Sequence, residues 1–401
     1  MLDVDAAQRQ LAEAGKAPAV AEPCALAQAV GRVLAADVTA TLAMPPEDNS
    51  AMDGYAVRLA DVAPERVLPV QQRCYAGQMP EPLAPGQAIR LFTGSVMPAG
   101  ADAVIMQEDA VEDARGVRFT EMPRAGQHIR RQGEDVVLGS VLAQAGARLT
   151  AAHVAVLAAQ GITQVPVWPR LRVGVLTTGD EIVPGGAARE PQQIFNSNAP
   201  MLTALLEGLG AQVALARHAA DTEGDLARAF TELAAGCDLV ISVGGVSVGE
   251  KDLVKPVLES LGGALALWKV RMKPGKPVAL GQVAGKPVVC LPGNPVSAYA
   301  VMAILVSPLV RRMQGRASVF PPVRRAVLRT SKPFGEGRDN FLRVQADTDD
   351  EARLTVAPHA GQTSGIMSAL PWAHGLARIP AHAQRGDGDV VDYYAFDDWL
   401  R

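Results

Sequence analysis

The chain has 401 residues, too many for one ordinary hydrophobic core, so two to four domains are expected. Apolar residues make up 48% of it and charged residues 20%, a composition typical of folded globular proteins. The formal net charge of -4 excludes the strong basic surplus of a protein that coats nucleic acid.

The first 170 residues are irregular. Helical spacing is present at residues 2–15, 25–36 and 150–160, whereas residues 48–135 mix short apolar runs with many prolines and glycines. This pattern predicts a β-rich insert between helical segments. The N-terminal residues lack the basic-then-apolar order of a signal peptide, so we expect a cytoplasmic protein.

Strands and helices alternate from Leu171 to about residue 317. Strands are predicted in LRVGVLTT, AQVALARHA, CDLVISVGG, ALALWKVRM, KPVALGQV and KPVVCLPG, and helices in MLTALLEGL, DLARAFTELAAG, DLVKPVLESLG and the run after Pro295. Asn196, Ser197 and Asn198 offer caps for the first helix. This alternation predicts a three-layer α/β domain with a mostly parallel sheet. After Phe320, alternating apolar residues predict a small all-β domain.

Two features bear on the class of protein. The apolar run 296–310 is interrupted by serines and Pro308 and is short for a membrane span, so it predicts a buried core helix. The four cysteines are scattered and form no CxxC pair, which argues for buried, reduced thiols rather than a disulfide scaffold or a zinc–thiolate site.

Four unusual loops follow predicted strands of the α/β domain. They are TTGDE (177–181), GGVSVGEKD (244–252), KPGKP (273–277) and PGNPVS (292–297). In an open parallel sheet, ligands bind outside the carboxyl ends of the strands, so we expect the four loops to meet at one edge.

The loops have the chemistry of an anion site. Their glycines let backbone N–H groups approach an anion closely, and the helix after Pro295 would present free N–H groups and a positive end near Ser297. Lys273 and Lys276 add positive charge, while Glu181 and Asp252 can ligate a hard cation such as Mg²⁺. Each loop alone is also consistent with an ordinary turn, a helix cap or solvated lysines. Four of them at one edge favour an anionic ligand with phosphate character.

A second polar cluster lies in segments 47–56, 91–95 and 131–135, where hydrogen-bonded turns or subunit contacts are the simpler interpretation. The six histidines show neither HxxxH nor HExxH spacing. The chain also lacks a P-loop, so no motif supports a standard NTPase.

Taken in chain order, the motifs resemble one family. DNSAMDGYA, FTGS, RRQGED, TTGDE, SVGGVSVGEKD, KPGKP and PGNPVSA are similar to motifs of the molybdopterin molybdenumtransferases, the bacterial relatives of the E domain of gephyrin. The resemblance covers essentially the whole chain. It implies an elongated homodimer with the active site in a cleft between the α/β domain of one subunit and the β-rich insert of the other.

The resemblance also implies four domains. They are a discontinuous helical and extended linking domain (1–20 and 136–169, with part of 40–48), the β-rich insert (21–135), a molybdopterin-binding α/β domain (170–317) and a small barrel-like C-terminal β domain (318–401).

The implied reaction is the Mg²⁺-dependent insertion of molybdenum from molybdate into adenylated molybdopterin with release of AMP, the last common step of molybdenum cofactor biosynthesis. A transient contact with molybdopterin adenylyltransferase is implied, and neither a nucleic acid nor a membrane is expected as a partner. We expect no covalent protein intermediate, because no residue looks like an activated nucleophile.

Three alternatives are considered. A molybdopterin adenylyltransferase would need only a domain like 170–317, so the rest of the chain argues against it. A scaffold protein could lose the lysines and acidic residues that this chain retains. A tungsten-selective insertase stays open, because molybdate and tungstate differ little in size or charge.

The loops and the resemblance together predict three sets of site residues. The catalytic set is Lys273, Lys276, Ser297, Arg338, Arg343 and Ser364, with the choice between Arg338 and Arg343 as the site arginine left open. The substrate-binding set is Asp53, Thr93, Asp135, Thr178, Gly179, Asp180, Gly244, Gly245, Ser247, Gly249, Pro292, Gly293 and Asn294. The metal set is Glu181, Asp221 and Asp252.

Overall fold

A computed structural model describes residues 1–246 and 253–401. The chain folds into two compact units: unit 1 comprises residues 1–36, 145–151 and 164–401, and unit 2 comprises residues 37–144 and 152–163. Three of the predicted site residues, Ser247, Gly249 and Asp252, lie outside the described residues.

Helix α1 (Val4–Ala14) opens the chain, as its helical spacing predicts. It begins where the side chain of Asp3 accepts a hydrogen bond from the Ala6 N–H at 2.8 Å, which satisfies one of the free donors of the first turn. Leu11 is fully buried and joins the core of unit 1.

The predicted helix over residues 25–36 is wrong beyond one short turn. Strand β1 (Glu22–Ala25) is followed by a 3₁₀ turn (Leu26–Gln28), and the chain then reverses at Gly31, whose φ is 81°. Val33 and Leu34 pair with distant backbone instead of continuing a helix.

Unit 2 is β-rich, as predicted. Its elements are β2 (Val38–Thr39), β3 (Asn49–Ser50), β4 (Gly54–Val57), β5 (Val70–Cys74), β6 (Ala88–Leu91), β7 (Ala103–Met106), β8 (Ala110–Asp113), β9 (Gly116–Phe119), β10 (Ile129–Arg130), β11 (Val141–Ala143), two 3₁₀ turns (Leu59–Asp61 and Gln107–Asp109) and most of helix α2 (Ala151–Ala159). A four-stranded sheet has the order β5-β6-β4-β7, and β2–β11, β3–β10 and β8–β9 form two-stranded ribbons. Tyr55 and Ala56 are buried in clusters on opposite sides of β4, so this strand lies in the interior of the unit.

The α/β part of unit 1 contains a six-stranded sheet. The elements along this part of the chain, some of which lie outside the sheet, are β12 (Gln164–Val167), β13 (Arg172–Thr178), β14 (Ile182–Val183), β15 (Ile194–Phe195), α3 (Asn198–Gly208), β16 (Gln212–Ala219), α4 (Glu223–Gly236), β17 (Leu239–Val243), α5 (Val254–Ser260), β18 (Leu267–Trp268), β19 (Met272–Lys273), β20 (Ala279–Val283), β21 (Lys286–Leu291), α6 (Pro295–Val301), a π-helical turn (Met302–Val306) and α7 (Ser307–Met313). The strand order is β16-β13-β17-β21-β20-β18, and the first four strands are parallel. The expectation of a mostly parallel sheet is confirmed.

The sheet is buried on both faces because its strands alternate between two apolar cores. Val173 and Val175 pack on one face with α1, α3 and the helical run from Pro295, whereas Leu176 packs on the other with α4 and α5. Two helical layers therefore enclose the sheet, which is the predicted three-layer arrangement.

The helical run Pro295–Met313 is long and apolar enough to cross a membrane by length and composition, but 89% of its most apolar window is buried within the protein. Leu305 and Leu309 are fully buried in the core shared with the sheet. The prediction of a buried core helix is confirmed. The four cysteines are also buried and form no disulfide, as predicted.

The C-terminal part of unit 1 is a small closed β-barrel. Its elements are β22 (Arg324–Leu328), β23 (Phe334–Gly335), β24 (Asp339–Thr348), β25 (Leu354–Pro358), a 3₁₀ turn (Met367–Ala369), β26 (Gly375–Ile379), β27 (Gln384–Arg385), β28 (Val390–Ala395) and α8 (Phe396–Trp399). The order β24-β25-β22-β28-β26 closes because β26 also pairs with β24. The predicted barrel-like domain is confirmed.

The predicted strand ALALWKVRM is divided in two: its part Leu267–Trp268 (β18) joins the α/β sheet, as predicted, but β19 does not. It pairs in parallel with β24 of the barrel, with Met272 opposite Asp339 and Lys273 opposite Asn340. The KPGKP loop therefore does not follow a strand of the parallel sheet. Its position is not explained by the rule that ligand-binding loops follow the carboxyl ends of parallel strands.

Candidate functional site

A cavity of about 440 Å³ opens in unit 1 at the carboxyl ends of β13, β17 and β21. Its wall contains ten of the predicted residues: Thr178, Gly179, Glu181, Asp221, Gly244, Gly245, Pro292, Gly293, Asn294 and Ser297. After β13 the chain forms β16, which lies on one side of β13, and then β17, which lies on its other side. The cavity thus lies at the switch point of the strand order, where ligands bind in open α/β sheets.

Glycine is required at Gly244 for two reasons. Its φ is 102°, a conformation that other residues rarely adopt. A Cβ atom there would also lie 2.7 Å from the Thr178 carbonyl oxygen. The loops after β13 and β17 approach each other this closely only because one of them has no side chain.

The helical run after the fourth loop begins with an internal cap. Asn294 Oδ1 accepts hydrogen bonds from the N–H groups of Val296 at 3.0 Å and Ser297 at 3.4 Å, and Pro295 occupies the first turn. Two donors that we expected to be free for an oxyanion are therefore used within the protein. The buried Ser297 side chain still contributes to the cavity wall.

Two carboxylates of the predicted metal set, Glu181 and Asp221, line the same cavity. The Thr178 hydroxyl donates to Asp221 Oδ1 and orients that carboxylate. Asp180 is not part of the wall; its Oδ1 accepts the Asp221 N–H at 3.1 Å and holds the loop that carries Asp221. One or two carboxylates beside a phosphate are what Mg²⁺ usually takes, so Glu181 and Asp221 fit this cation. Within residues 1–246 and 253–401, no group of three or more His, Cys, Asp or Glu side chains is placed to hold a metal ion.

The KPGKP loop reaches the cavity through Pro277, which is part of the wall. Glycine is needed at Gly275, because its φ is 111° and a Cβ atom there would lie 2.5 Å from Val301 Cγ2 of the helix after the PGNP loop. Lys273 forms an ion pair with Glu336. Lys276 is exposed and takes part in no ion pair among the described residues.

The two candidate arginines have different surroundings. Arg338 is half-buried and its Nη1 lies 3.4 Å from the Met272 carbonyl oxygen, to which it donates, beside the KPGKP loop. Arg343 is only 1% exposed and donates to the carbonyl oxygens of Gly361 at 2.9 Å and Thr363 at 3.1 Å. Burial lowers the pKa of its guanidinium. Arg343 therefore braces the loop that carries the half-buried Ser364, and Arg338 is the better candidate for contact with a ligand.

In unit 2, the structure brings Asp53 and Thr93 together. The Thr93 N–H and hydroxyl both donate to Asp53 Oδ1, at 2.7 and 2.8 Å. These bonds lower the pKa of Asp53 below its ordinary value of 3.8. The Asp53 carboxylate stays ionised at neutral pH. The stabilisation from its hydrogen bonds with Thr93 is lost only when the pH falls through the lowered pKa.

Asp135 lies elsewhere in unit 2, in the wall of a cavity of about 410 Å³. That wall also contains Asn49, Arg130 and Glu134, but neither Asp53 nor Thr93. The three predicted residues of the insert are therefore not gathered into one pocket within unit 2.

Replacing Thr93 with valine is expected to raise the pKa of Asp53 toward 3.8, because one of its two donors is lost. The rise is partial, since the backbone N–H of residue 93 remains. An NMR titration of the Asp53 carboxyl group measures the change. Thr120→Val is the control, because the Thr120 hydroxyl donates to a backbone carbonyl and not to Asp53. An unchanged pKa in Thr93→Val would contradict the assignment.

Several wall residues were not predicted as site residues. They are Ile182, Ile194, Phe195, Asn196, Ser197, Asn198, Val243, Val246, Pro277 and Pro295. Asn196 was expected only as a cap, and its Oδ1 does accept the Ala199 N–H at 3.0 Å. Asn198 instead donates from Nδ2 to the Gly293 carbonyl oxygen at 2.7 Å and braces the PGNP loop. The run of three polar residues at the start of α3 (196–198) was the available signal.

Models of three protein regions match this chain. Residues 2–161 match the MoeA N-terminal region (domain I and II), residues 174–312 match the probable molybdopterin binding domain, and residues 325–396 match the MoeA C-terminal region (domain IV).

Full-length relatives match as well. A molybdopterin molybdenumtransferase from Haemophilus influenzae is 38% identical over 373 residues, 92% of each chain. Another from Nostoc is 40% identical over 360 residues, covering 87% of this chain and 83% of that protein. A solved structure of the molybdopterin biosynthesis moeA protein from Pyrococcus horikoshii superposes with a TM-score of 0.85 at 27% identity, over 98% of this chain and 100% of that one. With its cavity, its fold and these matches taken together, the chain belongs to the molybdopterin molybdenumtransferase family.

Proposed function

We propose that this protein transfers molybdenum from molybdate into adenylated molybdopterin and releases AMP. The observation that carries the proposal is the cavity at the sheet edge, where Glu181, Asp221 and Ser297 share a wall with two glycine loops. In the proposed reaction the two dithiolene sulfurs of the pterin replace two oxygen ligands of molybdate, which leave as water after protonation. One water adds across the phosphoanhydride bond, which breaks to give AMP and the pterin phosphate.

The main obstacle to the proposed reaction is electrostatic repulsion between its two negatively charged substrates. Molybdate is a dianion, and it must approach a substrate that already carries phosphate. Lys276, with Arg338 beside the KPGKP loop, supplies the positive charge that offsets this repulsion. The protein positions and neutralises its substrates, and no residue is required to form a covalent intermediate.

We further propose that the protein depends on Mg²⁺. Glu181 and Asp221 would hold the cation, and its charge would offset that of the pyrophosphate and favour departure of AMP. Thr178 keeps Asp221 oriented for this role through its hydroxyl. Asp252 belongs to the same proposed ligand set but lies outside the described residues.

The proposal extends to assembly and location. The protein would act in the cytoplasm as a homodimer with its active site between subunits, and it would receive adenylated molybdopterin during a transient contact with the adenylyltransferase. Family membership supports these statements.

The test is AMP release from adenylated molybdopterin by the purified protein, with and without molybdate and Mg²⁺. Release that needs both, with molybdenum appearing on the pterin, is expected. Tight binding without release under any condition would point to a scaffold. Transfer of AMP from ATP to free molybdopterin would point to an adenylyltransferase, and release with tungstate alone to a tungsten insertase.

A further inference from the structure

A third cavity, of about 720 Å³, lies in unit 1 at the end of the α/β sheet opposite the candidate site. The strands that end at the candidate site begin here: β13 begins at Arg172, β21 begins at Lys286, and Asp238 immediately precedes β17. All three residues belong to the cavity wall, whereas none of the described residues of the predicted site sets does. The volume lies within the range of small-molecule sites, about 300–1,000 Å³.

One side of this cavity is an apolar part of the sheet. Leu171 and Leu280 belong to the wall and are buried in the core that contains α1. Because side chains alternate between the two faces of a strand, Gln282 faces the same side of β20 as Leu280. Pro287 of β21 lies opposite Gln282 and faces that side too. The strand register therefore directs three apolar side chains and one exposed amide, all from the wall, toward the side of the sheet that carries α1.

The other side of the cavity is the chain that leaves helix α1. A Cβ atom at Gly15 would lie 2.8 Å from Met313 Cγ, so this segment packs directly on the end of α7. Gln10 Nε2 donates to the Ala266 carbonyl oxygen at 2.9 Å and ties α1 to the loop before β18. Met313, Ala266 and Lys16 all belong to the wall. The two sides are therefore held together within the protein, and a ligand would meet a preformed cavity.

The wall carries more positive than negative charge. It contains four cations, Lys16, Arg170, Arg172 and Lys286, and one carboxylate, Asp238, in a chain whose formal net charge is -4. Asp238 lies 3.5 Å from the Lys286 ammonium group and neutralises it. Lys16 and Arg170 are exposed and form no ion pair within residues 1–246 and 253–401. A cleft lined by one sign of charge attracts ligands of the opposite sign.

We propose that this cavity binds a small amphipathic anion, a molecule with an apolar body and a single anionic group. The apolar body lies on Leu171, Leu280 and Pro287, and the anionic group lies near Lys16 and Arg170. This inference does not depend on the proposed function, because the two cavities lie at opposite ends of the sheet and share no wall residue.

The test is a fluorescence titration of the full-length protein with two probes that share one ring system. Anilinonaphthalene sulfonate carries a negative charge, and N-phenylnaphthylamine is the same ring system without the sulfonate. Both probes are expected to bind at one saturable site. The sulfonate should bind about 10-fold more tightly, because two exposed ion pairs together contribute about that factor.

Gln282→Trp is expected to raise the Kd of both probes about 10-fold, because an indole in the cavity displaces their apolar body. That factor is the lower end of what burial of one apolar side chain contributes. Gln384→Trp is the matched control. Gln384 is also an exposed glutamine in a strand of unit 1, but it belongs to the barrel and not to this wall. Its replacement should leave both Kd values unchanged.

The double variant Lys16→Ala with Arg170→Ala tests the charge separately. It should raise the Kd of the sulfonate about 10-fold and leave that of N-phenylnaphthylamine unchanged. Both residues are exposed and lie outside helices and strands, so this variant keeps the proposal testable even if Gln282→Trp fails to fold.

Four results would overturn the proposal. They are wild-type affinity for both probes in Gln282→Trp, equal affinity of the wild-type protein for the two probes, an unchanged Kd of the sulfonate in the double variant, and failure of the wild-type protein to bind either probe. If the last result came with a Gln282→Trp variant that had lost self-association, the cavity would instead be a contact between copies of this chain.

Discussion

Lys276→Ala is expected to lower the rate of AMP release by about 100-fold, the lower end of the loss seen when one group that stabilises a developing anion is removed. Lys276 precedes Pro277 of the cavity wall and is exposed, and no described residue forms an ion pair with it. In the proposed reaction this charge acts on an oxyanion. Lys273, by contrast, is already paired with Glu336.

The measurement is the rate at saturating adenylated molybdopterin, molybdate and Mg²⁺. Lys276→Arg keeps the charge and should recover part of the rate. Lys332→Ala is the control, since Lys332 lies in the barrel over the Phe334 ring and should not affect turnover. A wild-type rate in Lys276→Ala would remove this lysine from the mechanism.

Gly54→Ala is expected to destabilise unit 2 by about 3 kcal/mol, the upper end of the usual cost of overpacking. Gly54 follows Asp53 at the start of β4, where β4 pairs with β7. An added Cβ atom would overlap the Ile105 carbonyl oxygen and would lie 2.9 Å from its carbonyl carbon. Because the obstacle is backbone, the two strands would have to separate.

Gly224→Ala is the matched control in helix α4. Gly224 is exposed and a Cβ atom there would meet nothing within 4 Å. Because alanine loses less backbone entropy on folding than glycine, this change should add about 0.5–1 kcal/mol. Calorimetry measures both variants, and hydrogen exchange at β4 locates the effect. An unshifted unfolding transition in Gly54→Ala would show that the strands can yield at no cost.

The α/β domain was predictable because its signals are local. Val173, Val175 and Leu176 lie within four consecutive positions, and their apolar character on both faces already indicates a strand covered on two sides. The helix from Pro295 was evident from its apolar run and its Asn-Pro start. Loop positions at the sheet edge then followed from the parallel order of the strands.

The roles of particular residues came from the motifs as a set rather than from local physics. The order of DNSAMDGYA, TTGDE, KPGKP and PGNPVSA indicated the family, and the matching regions and relatives bear this out. Composition and spacing alone did not indicate a pterin or molybdate.

What only the tertiary structure decided depends on partners far away in the chain. Strand β19 pairs with β24, Lys273 with Glu336 across 63 positions, and Arg343 with the loop at 361–363. A pattern of ten residues cannot specify such partners, because pairing, burial and charge neutralisation are properties of the packed chain. The sequence by itself therefore determined the four parallel strands, the core helix and the family. Only the packed chain showed that Arg343 is a buried brace and that Phe195 is part of the cavity wall.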